Sequence, residues 1–156
     1  MTNGVTTRWS DPEVARRILT EFRIWAVVGC SPDPWRASHG VSRTLQRHGY
    51  EMIPIYPRPA VIHGQSTVPD LGTAAAGRSA GSPIEVVDVF RASHRAGVHV
   101  DEAIAIGAKA VWLQLDVWDE AAAERADAAG LLVVMNRCPA IDLPGLGISS
   151  PISRGA

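Results

Sequence analysis

Four arginines stand just beyond short apolar runs of this 156-residue sequence: Arg36 after Ile24–Gly29, Arg58 after Met52–Tyr56, Arg91 after Ile84–Phe90 and Arg137 after Leu131–Met135. Guanidinium groups grip phosphate oxygens through paired, charge-assisted hydrogen bonds, so arginines gathered on one edge of a fold suit a phosphate-rich ligand. The segment from Gly29 to Gly40, GCSPDPWRASHG, adds further donors. Glycine at Gly29 lets backbone approach a ligand, while Ser31, Ser38 and the free N–H groups of a helix start can hold phosphate oxygens. Taken alone, the same segment also reads as a turn followed by a helix cap.

Other reactive side chains offer less. His39 falls at a helix start, where the positive end of the dipole favours the neutral ring, a hydrogen-bond partner for phosphate or backbone. No carboxylate or nucleophile is identifiable as its partner. His48, His63, His94 and His99 show no metal-like clustering, and Cys30 and Cys138 match no metal-ligand spacing. No acid/base pair or nucleophile triad can be assembled, so no catalytic residue and no metal ligand is assigned. Cys138 lies beside Arg137, and either cysteine is a candidate for a mixed disulfide with a thiol ligand. Trp25 and Trp112 fall inside apolar runs as core aromatics, whereas Trp35, next to Arg36, is placed to pack on a ligand or to anchor its loop.

The elements that must position these residues follow from the pattern of the chain. Ser10, Pro12 and Glu13 form a capping sequence for a first helix with Val14, Ile18 and Phe22 on one face. Apolar runs at Ile24–Gly29, Met52–Tyr56, Ile84–Phe90, Ala110–Leu115 and Leu131–Met135 read as five buried strands, although Pro54 cannot donate to a sheet ladder. Helices separate them: one capped by Ser38 over His39–His48, one ending near Ile106 with Gly107 as its stop, and one capped by Asp119 with Ala122, Ala126 and Ala129 on its sheet-facing side. Leu71–Pro83, dominated by small residues, reads as a loop or weakly ordered insertion. Asp142–Ala156 reads as a surface tail.

Alternating strands and helices predict an α/β fold: a doubly wound, mainly parallel five-stranded sheet with helices on both faces. The length predicts one domain over 1–156, with its core at about 10–141. In such sheets ligands bind beyond the carboxyl ends of the strands, which is where the arginines fall. A dinucleotide of the NAD type expects G-x-G-x-x-G after the first strand and an acidic residue closing the second. Gly29 is followed by no glycine before Gly40, and the second run closes on Tyr56-Pro57-Arg58. NADP stays open, because Arg58 could meet its extra phosphate.

Composition narrows the rest. Hydrophobic residues make up 46% and charged residues 20% of the chain, and the formal charge is −1, which argues against a broad basic face for nucleic acid. No apolar run approaches the ~18 residues of a membrane span, the first nine residues lack a signal-peptide pattern, and two distant cysteines suit reduced thiols, so the expected location is the cytoplasm.

Taken in order, GCSPDPWRASHGVSRTLQRHGY, VVDVFR, DEAIAIGAKAVWLQL and MNRCP resemble the bacterial CoA-binding-domain family of small stand-alone proteins, over about Ile24–Ile141. The resemblance implies a Rossmann-like fold similar to the CoA-binding domain of the succinyl-CoA synthetase alpha subunit, with coenzyme A as cofactor. It places the phosphate-binding loop at Gly29, Cys30, Ser31, Arg36, Ser38, His39 and Gly40. Tyr56, Pro57, Arg58, Phe90 and Arg91 then flank the nucleotide, with Gln114 nearby, and Trp35 is a further candidate contact. The chain departs from the family where Tyr56-Pro57 replaces Asn-Pro and where Gln114-Leu115-Asp116 replaces Gln-Leu-Gly, which puts a carboxylate beside an anion site. Asp116 either points to solvent or accepts from an arginine.

The expected function is binding of CoA or an acyl-CoA at the carboxyl edge, as a non-catalytic or regulatory module. The alternatives are an NADP-linked or acyl-transferring enzyme, or a partner-binding subunit or homodimer with a vestigial pocket.

Overall fold

The computed structural model describes residues 8–151. Helix α1 spans Pro12–Glu21 and leads into strand β1, Ile24–Val28; α2 spans Ala37–Arg47 and β2 Glu51–Ile55. A hairpin of β3, Val61–Ile62, and β4, Gln65–Ser66, is followed by α3, Leu71–Ala76. The chain then alternates: β5 at Val86–Val89, α4 at Ser93–Ala105, β6 at Ala110–Leu113, α5 at Glu120–Ala128, β7 at Leu132–Val134 and α6 at Pro139–Gly145.

The five main strands form one parallel sheet in the order β2-β1-β5-β6-β7, as the alternation predicts. Every residue of β1, β5 and β6 is buried, because helices cover both faces. Trp25, Val27, Val86, Ala110, Trp112 and Val134 pack against α1, α2 and α6 through Ile18, Leu19, Leu45 and Leu143. Val28, Val87, Val89, Val111 and Leu113 pack against α3, α4 and α5 through Leu71, Ala74, Val100, Ala122 and Ala126. Strand order reverses between β1 and β5, so the open crevice lies beyond their carboxyl ends. Among the described residues no helix is long and apolar enough to cross a membrane.

Pro54 is compatible with β2 because β2 is the edge of the main sheet. Its carbonyl accepts from Val68 N–H at 2.9 Å, so the side of Pro54 that lacks a donor faces the hairpin segment and not β1.

Several local expectations are corrected. The cap of α1 is Asp11, whose Oδ1 accepts from Glu13 N–H at 2.8 Å, rather than Ser10. The stretch read as a loose loop from Leu71 holds α3, started by Asp70 Oδ1 accepting from Thr73 N–H at 2.7 Å and fixed by burial of Leu71 and Ala74. Arg78 then pairs with Glu51 at 2.6 Å and ties the following turn to β2. On α5 the buried alanines are Ala122, Ala123 and Ala126, while Ala129 lies past the helix end and is exposed. The expected surface tail contains most of α6, with Asp142, Leu143 and Ile148 buried; its last residues, 152–156, lie outside the described residues.

Candidate functional site

The first loop is shaped by a glycine that nothing else could replace. Gly29 has φ +77°, and a Cβ there would sit 2.5 Å from Phe90 O and 3.3 Å from Arg91 Cδ. Its N–H and that of Cys30 both donate to Ile55 O, at 3.1 and 3.2 Å, so the ends of β1, β2 and β5 are drawn together. Beyond it the loop is self-bonded. Ser31 N–H donates to Ser38 Oγ, Asp33 N–H to Ser31 Oγ and Trp35 N–H to Asp33 Oδ1, each at 3.0 Å. Ser38 is therefore a loop brace inside the first turn of α2, not the cap of that helix. Arg36 occupies the cap position and makes no capping side-chain bond.

This loop and the ends of β2, β5 and β6 line an open cavity of about 700 Å³. After β2 come Tyr56, Pro57 and Arg58, with the Arg58 guanidinium 5.9 Å above the Tyr56 ring. After β5 come Phe90, Arg91 and, in the first turn of α4, Arg95; after β6 come Gln114, Leu115, Asp116 and Val117.

Two features mark the cavity as a place for anions. Arg36, Arg58, Arg91 and Arg95 all line it, and none forms an ion pair among the described residues. Elsewhere Arg8, Arg16, Arg17, Arg78, Arg125 and Arg137 each have a carboxylate partner, while the exposed Arg23, Arg43 and Arg47 also make no ion pair among the described residues, so what sets the cavity apart is that four such arginines meet there. Moreover α2 and α4, whose N-termini open on the cavity, have no side-chain cap; α1, α3 and α5 are capped by Asp11, Asp70 and Asp119, and α6, away from the cavity, is also without a side-chain cap. Uncapped first-turn N–H groups carry partial positive charge and bind phosphate oxygens well.

Of the residues singled out in the sequence, Gly29, Ser31, Arg36, Ser38, Tyr56, Pro57, Arg58, Phe90, Arg91 and Gln114 line the cavity. Cys30, Trp35, His39 and Gly40 do not. Cys30 points into the core and is fully buried, and burial pushes its thiol up to about 11, which removes it as a reactive thiolate. Trp35 is 94% exposed outside the cavity. His39 packs its ring against that of His63 at 4.3 Å between centroids, and His63 Nε2 lies 2.6 Å from His39 O, so the pair clips the β3–β4 hairpin to α2. A Cβ at Gly40 would meet nothing within 4 Å, so glycine is not demanded there.

Arg137 leaves the set of four as well. It grips Asp142 with two bonds, at 2.7 and 2.8 Å, and donates to Ser10 O at 3.0 Å. Arg95 takes its place. Sequence reasoning missed it because it lies inside a helix, although as the third residue of α4 it sits in the helix turn that directly follows the end of β5.

Two buried polar groups lie near the site. Gln114, 6% exposed, has its Oε1 enclosed without a partner. Asp88, in β5 opposite Val27 and Trp112, is fully buried with neither carboxylate oxygen bonded, and burial raises its pKa well above the usual range. Among the described residues, no group of three or more His, Cys, Asp and Glu side chains could hold a metal ion.

Comparison with known proteins bears on the family and the fold. Residues 23–144 match the family described as CoA binding domain. The chain is similar to the uncharacterized protein YneT of Bacillus subtilis, 32% identical over 123 residues that cover 79% of this chain and 87% of that protein. It also resembles the solved structure of a hypothetical protein from Pyrococcus horikoshii, with TM-score 0.80 and 33% identity over 94% of this chain and 99% of that one. A protein from Thermus thermophilus aligns with TM-score 0.76 and 28% identity over 87% and 98% of the two chains.

Proposed function

Because the chain belongs to the CoA-binding-domain family, we propose that its arginine-lined cavity binds coenzyme A or an acyl-CoA, and that the protein acts as a binding or regulatory module. The observation that carries this reading is the convergence on one cavity of two uncapped helix N-termini and four arginines that form no ion pair among the described residues. A side chain kept cationic and unpaired at a cleft costs little in water, but four together repel one another unless an anion comes between them. CoA brings about four negative charges on its phosphates, enough to engage several guanidiniums at once. The exposed Leu115 and the half-buried Phe90 supply apolar wall for the uncharged part of such a ligand.

The test is calorimetric titration with CoA, dephospho-CoA, acetyl-CoA and NADPH. Micromolar binding of CoA, weakened in dephospho-CoA, is expected. Binding of NADPH with no response to CoA would replace this reading by the NADP alternative.

A further inference from the structure

We infer that Asp116 decides which thioesters the cavity accepts, admitting free CoA and uncharged acyl groups and rejecting acyl groups that end in a carboxylate; this rests on the CoA reading above. Across the sheet edge the lining runs from Arg58 after β2, through Arg36 after β1 and Arg91 and Arg95 at β5, to Leu115, Asp116 and Val117 after β6. These ends are three strand spacings apart, roughly 14 Å at ~4.8 Å per strand. Charge changes along that line, from four cations to one carboxylate set between apolar residues. A ligand with phosphates at one end and a neutral chain at the other fits this gradient one way round. The phosphates settle among the arginines, and the neutral thiol-bearing arm lies against the β6 wall, where Leu115 is 44% exposed.

Asp116 sits there on a braced backbone, with its side chain exposed. Its backbone is left-handed, φ 65°. Its N–H donates to Asn136 Oδ1 at 2.8 Å, and its carbonyl accepts from Ser93 Oγ at 3.3 Å. Ser93 Oγ in turn accepts from Trp118 N–H at 2.9 Å, which ties the loop to the first turn of α4. Asp116 makes no ion pair with Arg91, Arg95 or any other described cation. The site therefore presents an exposed carboxylate without an ion-pair partner among the described residues, carried on a braced backbone, on the side where the acyl end arrives. Such a repulsive element discriminates between ligands that share every attractive contact.

The experiment titrates CoA, acetyl-CoA and succinyl-CoA into the parent, Asp116→Asn and Asp116→Gly. Asparagine and glycine both tolerate left-handed backbone, and thermal melting verifies the fold of each variant. The parent is expected to bind succinyl-CoA on the order of tenfold more weakly than acetyl-CoA, and both variants to bring the two within about threefold. Equal binding of the two thioesters by the parent, or a gap that survives both substitutions, overturns the inference and leaves the CoA reading standing. Failure of the parent to bind any of the three overturns both.

Discussion

Gly29 and Phe90 approach so closely that the backbone of one leaves no room for a side chain on the other: a Cβ at Gly29 would lie 2.5 Å from the Phe90 carbonyl oxygen. This contact joins the ends of β1 and β5, the two strands between which the order of the sheet reverses, and so forms the floor of the cavity. Gly29→Ala must pay for a left-handed alanine and also push two strand ends apart. A loss of about 2–4 kcal/mol is expected, read as a lower midpoint in urea, together with weaker CoA binding by the folded fraction. An unchanged midpoint would show that the two ends are free to separate.

The arginines divide into two kinds with opposite predicted behaviour. Arg36 and Arg95 line the cavity with no carboxylate partner among the described residues, so replacing either by alanine should weaken CoA by about 1.5–3 kcal/mol and alter stability by no more than ~0.5 kcal/mol. Arg137→Ala does the reverse. It strands Asp142, a side chain 8% exposed, without its bidentate partner, and should cost about 3–5 kcal/mol of stability while CoA affinity holds. Calorimetric titration and urea unfolding of the three variants measure both axes. A binding defect in Arg137→Ala matching that in Arg36→Ala would erase the distinction.

That distinction marks where sequence reasoning stopped. The strands were legible because runs such as Ile24–Val28 and Val86–Val89 are apolar on both faces, and the edge that holds the ligand follows from parallel order alone. Proximity to that edge could not separate Arg36 from Arg137, since the partner of Arg137 sits on a helix that the composition of the tail concealed. Arg95 escaped notice for the complementary reason, being displaced from its strand end by one helical turn. The helix at Leu71–Ala76 was hidden by small residues, although Asp70 before it is an ordinary capping signal. Cys30, in the first loop, and His39, in the first turn of α2, do not line the cavity, a matter of side-chain direction that spacing does not reveal.

Asp88 yields a prediction about pH. Its carboxyl is fully enclosed in β5 beside Val27 and Trp112, with neither oxygen bonded, and burial holds its folded pKa well above the usual value. Between the unfolded and folded values the native state binds the extra proton, so stability falls as pH rises. The contribution of Asp88 is fully present below the unfolded carboxylate pKa near ~3.9 and is lost as pH rises through the folded value. Asp88→Asn cannot ionise and removes this slope. Relative to the variant, the parent should lose up to about 1.4 kcal/mol per pH unit within that window, making the asparagine protein the more stable of the two toward alkaline pH. Urea unfolding of both proteins at a series of pH values from 4 upward measures the difference. Parallel stability curves for parent and variant would mean that Asp88 titrates alike in the folded and unfolded chains, and that the enclosure seen around it does not govern its proton.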